Sequence, residues 1–144
     1  GSVAEAMEQI DIVDRFGGRG SVAVAAEITK ALKSLTNIDH LGYSGLMMPI
    51  CEDRRLASLA STGDLDTTRL LGISSVCGVG LDTIPVPGSA RVEDLVGLIL
   101  DVGSVAFRYD KGLSCRLLLC PGLESGDEAK FGSPYMCDCR VLHL

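Results

Sequence analysis

The chain has 144 residues, 47% of them hydrophobic and 22% charged. That is enough for one domain with its own core, and it excludes a disordered chain. Thirteen Lys and Arg against 19 Asp and Glu leave a net charge of −6, a poor match to a polyphosphate backbone, so nucleic acid is not an expected partner. The uncharged run Leu70–Leu81 has 12 residues, too few to span a bilayer.

In chain order, Ser2-x-x-Glu5 has the form of a capping box and predicts a short helix to about Gln9. Ile10 to Phe16 is expected as a short strand, broken at Gly17-Gly18-Arg19-Gly20. A helix follows from about Ser21 to Leu35, its residues Ala25, Ile28, Leu32 and Leu35 spaced as one amphipathic stripe. Ile38–Tyr43 and Leu46–Ile50 are expected as extended segments around a Ser44-Gly45 turn. Glu52-Asp53 opens a helix that stops at Gly63, and Asp64 or Asp66 caps the next one, ending near Gly78. Pro85 and Pro87 make Gly80–Gly88 extended while excluding a helix and a central ladder. Val92, Leu95, Ile99, Val102 and Ala106 predict a long helix to Tyr109 with one face on a sheet. Leu113–Cys120 is expected as a strand, Pro121–Pro134 as a polar loop and Tyr135–Leu144 as a closing strand. Helices alternating with short apolar strands make one α/β or α+β domain.

Aromatic residues are 4% of the chain and Trp is absent, so aliphatic and small side chains must build the core. The six cysteines sit mostly in apolar runs, where a thiol packs as a small hydrophobe; this points to a reducing, cytoplasmic setting. Cys137 and Cys139 on one strand face are roughly 7 Å apart, too far for an undistorted disulfide. With His143 they do not make a zinc set. Neither a metal nor a cofactor is expected.

Chemistry concentrates in a few places. Gly18, Arg19, Gly20 and Ser21 match a glycine-rich turn before a helix, whose outward amides suit an anion; a plain glycine turn fits the same residues. Asp82, wedged between apolar flanks and followed by Thr83, is either a ligand-binding carboxylate or the start of a local turn. Glu52 and Asp53 are candidates for acid–base work, although the helix dipole alone favours acids there. Arg116, on a strand, is suited to clamping a carboxylate or phosphate, or to pairing with a structural acid.

The runs Gly42–Asp53 and Ser75–Gly88, with Leu113–Leu117, Pro121-Gly122, Ser125–Asp127 and Ser133–Tyr135, resemble the domain of unknown function 711 family. The resemblance covers nearly the whole chain. Family members are about three times longer, which implies that these residues are the C-terminal third of a ten-stranded pyruvate-formate-lyase-like α/β barrel. The fold class so implied is α/β, a partial barrel, with missing strands supplied by the remainder of the longer chain or by a homo-oligomer. Departures include Ser89 after Pro87-Gly88 and Gly112 after Asp110-Lys111. Glycyl-radical chemistry is not implied, because Arg140-Val141-Leu142 runs into His143 with no glycine following.

The resemblance supplies no reaction. The expected role is binding or transforming a small polar metabolite, with Glu52, Asp53, Asp82 and Arg116 as catalytic candidates. Ser44, Thr83 and the Gly18–Ser21 turn are the ligand-binding candidates. The alternative is a non-catalytic module that completes its barrel by oligomerisation.

Overall fold

The computed structural model describes residues 1–41 and 44–144. Among the described residues five α-helices and four strands are formed: α1 (Val3–Met7), α2 (Ser21–Lys33), α3 (Arg54–Thr62), α4 (Thr67–Ser74), β1 (Gly80–Pro87), α5 (Val92–Arg108), β2 (Ser114–Cys120), β3 (Glu128–Ala129) and β4 (Cys139–Arg140). A 3-10 turn, Ile50–Glu52, precedes α3.

Local signals account for most of the helix ends. Ser2 Oγ accepts from the Glu5 amide at 3.0 Å and starts α1. Asp53 caps α3, accepting from the Arg55 and Leu56 amides, and Gly63 ends it at φ +78°. Asp66 caps α4 through the Arg69 amide. Helix α4 stops at Ser74, short of Gly78, and Lys111 gathers the carbonyls that follow. Its Nζ donates to the Ser74, Ser75 and Cys77 oxygens at 2.8, 2.9 and 2.9 Å.

The principal sheet is small and parallel. β1 pairs with β2 from Gly80↔Ser114 to Pro87↔Cys120, and on its other side Pro49 makes a single parallel bridge to Asp82. β1 is buried along its entire length. Pro85 and Pro87 therefore sit in the most enclosed strand of the domain, where the sequence excluded a central ladder. The chain resolves the conflict by facing Pro85 away from β2. Its carbonyl accepts from the Leu142 amide at 2.8 Å, so its missing N–H falls on the side of the C-terminal segment, where no continuous ladder runs. β3 and β4 form a separate antiparallel pair of two residues each.

The core is mainly aliphatic as expected: Met7, Met48, Ile50, Leu56, Leu59, Leu70, Ile73, Leu81 and Ile84 are among its fully buried members, with the aromatic Phe16 beside them. The architecture is mixed α/β, and no closed barrel forms among the described residues.

Several expected elements differ. Ile10–Phe16 is a series of turns, because its Asp11 and Asp14 stay in solvent while the Glu8 carboxylate takes the Phe16 amide. Of the extended segment Ile38–Tyr43, Gly42 and Tyr43 lie outside the described residues, and 38–41 form no strand. The closing strand shrinks to Cys139–Arg140. In α5 the packed face carries Leu95, Leu98 and Val102, whereas Val92 and Ile99 are exposed. This helix is apolar on two sides, and spacing alone does not choose between them.

Candidate functional site

The register of β1 on β2 slips between Leu81↔Cys115 and Ile84↔Leu117. Two residues of β1, Asp82 and Thr83, thus stand opposite the single residue Arg116: a β-bulge, which bends a strand and re-aims its side chains. Thr83 adopts φ +47°. That is the left-handed region, costly for a β-branched residue and maintained only by its surroundings. The 3-10 turn supplies them. The Cys51 amide donates to Thr83 Oγ1 at 3.3 Å and the Cys51 thiol donates to the Thr83 carbonyl at 3.1 Å. A hydrogen bond with Cys139, together with burial, pushes the Cys51 thiol well above its usual range, so it braces the bulge as a neutral donor.

The bulge brings three sequence candidates together. Arg116 Nε donates to Asp82 Oδ1 at 2.5 Å and Arg116 Nη2 donates to Glu52 Oε1 at 2.9 Å. The Asp82 side chain is 3% exposed, those of Arg116 and Glu52 51% and 40%. The Asp82 hydrogen bond holds the Arg116 guanidinium above its ordinary value, with burial working against it. The second Asp82 oxygen, Oδ2, is buried and has no hydrogen-bond partner among the described residues. A carboxylate oxygen without a donor is an unusual expense in a native interior.

Thr83 shares the bulge with Asp82, whereas Asp53, the Gly18–Ser21 turn and Ser44 are placed apart from this trio. Asp53 is buried at the junction of α1 and α3. Beyond capping α3 it accepts from Ser2 Oγ at 2.6 Å and from the Val3 amide at 2.7 Å, so its oxygens are fully engaged in holding the two helices together. The Gly18–Ser21 turn is closed on itself. The Gly18 amide donates to Arg15 O, the Ser21 amide to Gly18 O, and Ser21 Oγ accepts from the Gly17 amide. Gly20, at φ +84°, lies so near Ile12 that a Cβ would collide with its carbonyl. Arg19 is exposed. At Ser44 it is the backbone that matters: with Gly45 it packs against Gly78, where a Cβ would meet Ser44 O at 2.5 Å.

The six cysteines are free thiols. Among the described residues no three His, Cys, Asp or Glu side chains are grouped to hold a metal ion, and no helix is long and apolar enough to cross a membrane. Sequence reasoning missed the support that Lys111 and Cys51 provide. Their partners lie tens of residues away, so no local pattern announces them.

Comparison with known proteins decides the family. The sequence profile of the family described as "Uncharacterised ACR (DUF711)" matches residues 1–133. The chain belongs to this family. Similar curated relatives, each called a UPF0210 protein, occur in Clostridium beijerinckii (33% identical over 134 residues), Clostridium botulinum (32%) and Limosilactobacillus reuteri (31%). In each case the match covers 91% of this chain and 30% of the relative. The chain therefore spans about a third of the length of the curated relatives it matches. No solved structure matches it.

Proposed function

We propose that this family member binds a small polar metabolite at the Asp82–Arg116–Glu52 cluster, as the C-terminal part of a pyruvate-formate-lyase-like barrel working in the reducing cytoplasm. The single observation that carries the reading is Asp82 Oδ2, a buried acceptor without a donor, on a bulge held in a costly backbone conformation. Strain and unsatisfied polar atoms persist where something other than stability maintains them. A ligand bearing an amine or hydroxyl supplies the missing donor to Asp82. An anionic or carbonyl oxygen on the same ligand suits the exposed side of the Arg116 guanidinium. Glu52, half in solvent, is the group placed to exchange a proton with such a ligand. Ser44 and the Gly18–Ser21 turn are left outside this assignment.

The test is Asp82→Asn in a chain of the relatives' full length, with native mass spectrometry reading co-purified small molecules and thermal unfolding reading stability. Loss of a bound small molecule with the fold intact supports the assignment. Unchanged retention together with lost stability makes Asp82 a structural residue.

A second reading rests on β2. Among the described residues its outer edge has no strand beside it, and an open edge pairs readily with another chain segment. On this reading the domain is a non-catalytic module, completed by the rest of the longer chain or by another copy.

A further inference from the structure

One edge of a guanidinium, Nε with Nη2, ordinarily meets both oxygens of a single carboxylate in a two-bond pair. At Arg116 that edge is divided: Nε donates to Asp82 and Nη2 to Glu52. Each acid therefore has one oxygen on the guanidinium and a second that takes no donor among the described residues. Glu52 is exposed enough to turn its free oxygen to solvent, whereas Asp82 is nearly sealed.

Two carboxylates against one guanidinium leave the cluster with one negative charge in excess. Among the described residues no further Lys or Arg pairs with either acid. Arg54 and Arg55, close to Glu52 in sequence, are turned to Glu5 and Glu8, and Lys111 is bound to the carbonyls after α4. The two acids also repel each other, the more so because Asp82 is withdrawn from water. The cluster thus calls for a second cation, and for one that carries hydrogens, since Asp82 Oδ2 is an acceptor.

These two demands sort the ligand chemistries. A phosphate or a lone carboxylate adds to the excess charge. A neutral hydroxyl donates to Oδ2 but leaves the charge uncompensated. A divalent metal ion brings no hydrogen and lies against the guanidinium that already holds both acids. A protonated primary amine meets both demands: a compact single charge with three donors, one for Asp82 Oδ2 and one for the free oxygen of Glu52. It enters from the exposed Glu52 and Arg116 side, and the soft terminal torsion of Asp82 lets the carboxylate turn toward it. The net charge of −6 favours the approach of a cation.

We propose that the ligand of this cluster is a primary ammonium compound, held between the two carboxylates with Asp82 as its buried anchor. The proposal rests on the binding reading above and narrows it to one class. The ammonium group belongs to a free amine or to an amino acid, whose carboxylate meets the Arg116 donors that the two acids leave unused.

Isothermal titration calorimetry and thermal unfolding of a chain of the relatives' full length test it. The probes are propylamine, alanine, propanol and propionate, with tetramethylammonium and magnesium ion as cations that lack N–H. Propylamine or alanine is expected to bind and to raise the melting temperature with concentration; the rest are not. Tighter binding of alanine assigns an amino acid, and tighter binding of propylamine a free amine. Asp82→Asn is expected to raise the dissociation constant at least about tenfold and Glu52→Gln severalfold. Glu52 is half in solvent, so its variant keeps the test decisive if Asp82→Asn disturbs the fold. Propanol, propionate or magnesium binding as well as the amines overturns the ammonium class, while loss of that binding in Asp82→Asn leaves the site reading standing. Amine binding that neither variant alters overturns the assignment to this cluster. Silence across the panel overturns the proposal, and the co-purification comparison with Asp82→Asn then separates a wrong ligand class from a wrong site.

Discussion

Replacing Arg116 with Met measures what holds the bulge. Among the described residues the guanidinium is the sole hydrogen-bond partner of the Asp82 side chain, and methionine keeps most of its aliphatic volume. Exposed ion pairs contribute about 0.2–1 kcal/mol, whereas removing one member of a buried pair costs about 3–5 kcal/mol, because a charge is stranded in the interior. Here the members differ: Arg116 is half-exposed and Asp82 nearly sealed. The cost falls on the group left behind, which is Asp82, so the expected loss lies near the lower end of the buried range, about 3 kcal/mol. The exposed contact with Glu52 adds a few tenths of a kcal/mol at most. For a chain of this length each kcal/mol moves the melting temperature by about 3 °C, so a fall of about 10 °C is expected. Thermal and urea unfolding at pH 7, followed by circular dichroism, give both quantities. The double variant Arg116→Met/Asp82→Leu removes the stranded charge and is expected to recover most of the loss. A single-variant cost below about 0.5 kcal/mol, the surface-pair value, refutes the view that Asp82 depends on this partner.

Asp53→Ala removes two cap bonds from α3 and two contacts to the start of α1. A loss of about 2–3 kcal/mol is expected, with faster amide hydrogen exchange across Val3–Met7; unchanged exchange there refutes the tethering role. The Glu8 carboxyl is raised by burial, but its hydrogen bonds with Arg55 and the Phe16 amide outweigh that and hold it below the usual carboxylate range. A depressed folded value stabilises the protein above the unfolded carboxylate range and is lost as pH falls through the folded one. Glu8→Gln is therefore expected to narrow the stability difference between pH 7 and pH 3, and an unaltered difference counts against the Arg55 pairing.

How far the candidate site was legible depended on the residue. Asp82 stood out because an acid between apolar flanks in a glycine- and proline-rich run needs a specific partner, and Arg116 was the charged residue of an apolar strand. Asp53 looked chemically equivalent to Glu52 in sequence. The two diverge because Glu52 ends a 3-10 turn and faces Arg116, while Asp53 is the extended residue that caps α3. A one-residue difference in backbone conformation sends adjacent carboxylates to different partners. The Gly18–Ser21 turn shows the reverse case: its residue types suit an anion, but the amides of Gly18 and Ser21 are consumed within the turn.

What the sequence determined alone was whatever acts over a few residues. Ser2, Asp53 and Asp66 begin helices and Gly63 ends one, because caps are satisfied locally. The aliphatic core and the mixed α/β character follow from composition and periodicity. Tertiary structure decided everything that required a second segment: the β1–β2 register slip that sets Asp82 and Thr83 against Arg116, the burial of a strand holding two prolines, and the side of α5 that packs inward. Each depends on contacts dozens of residues apart. A helix apolar on two sides, or an acid with several possible partners, becomes specific only when one long-range pairing excludes the rest.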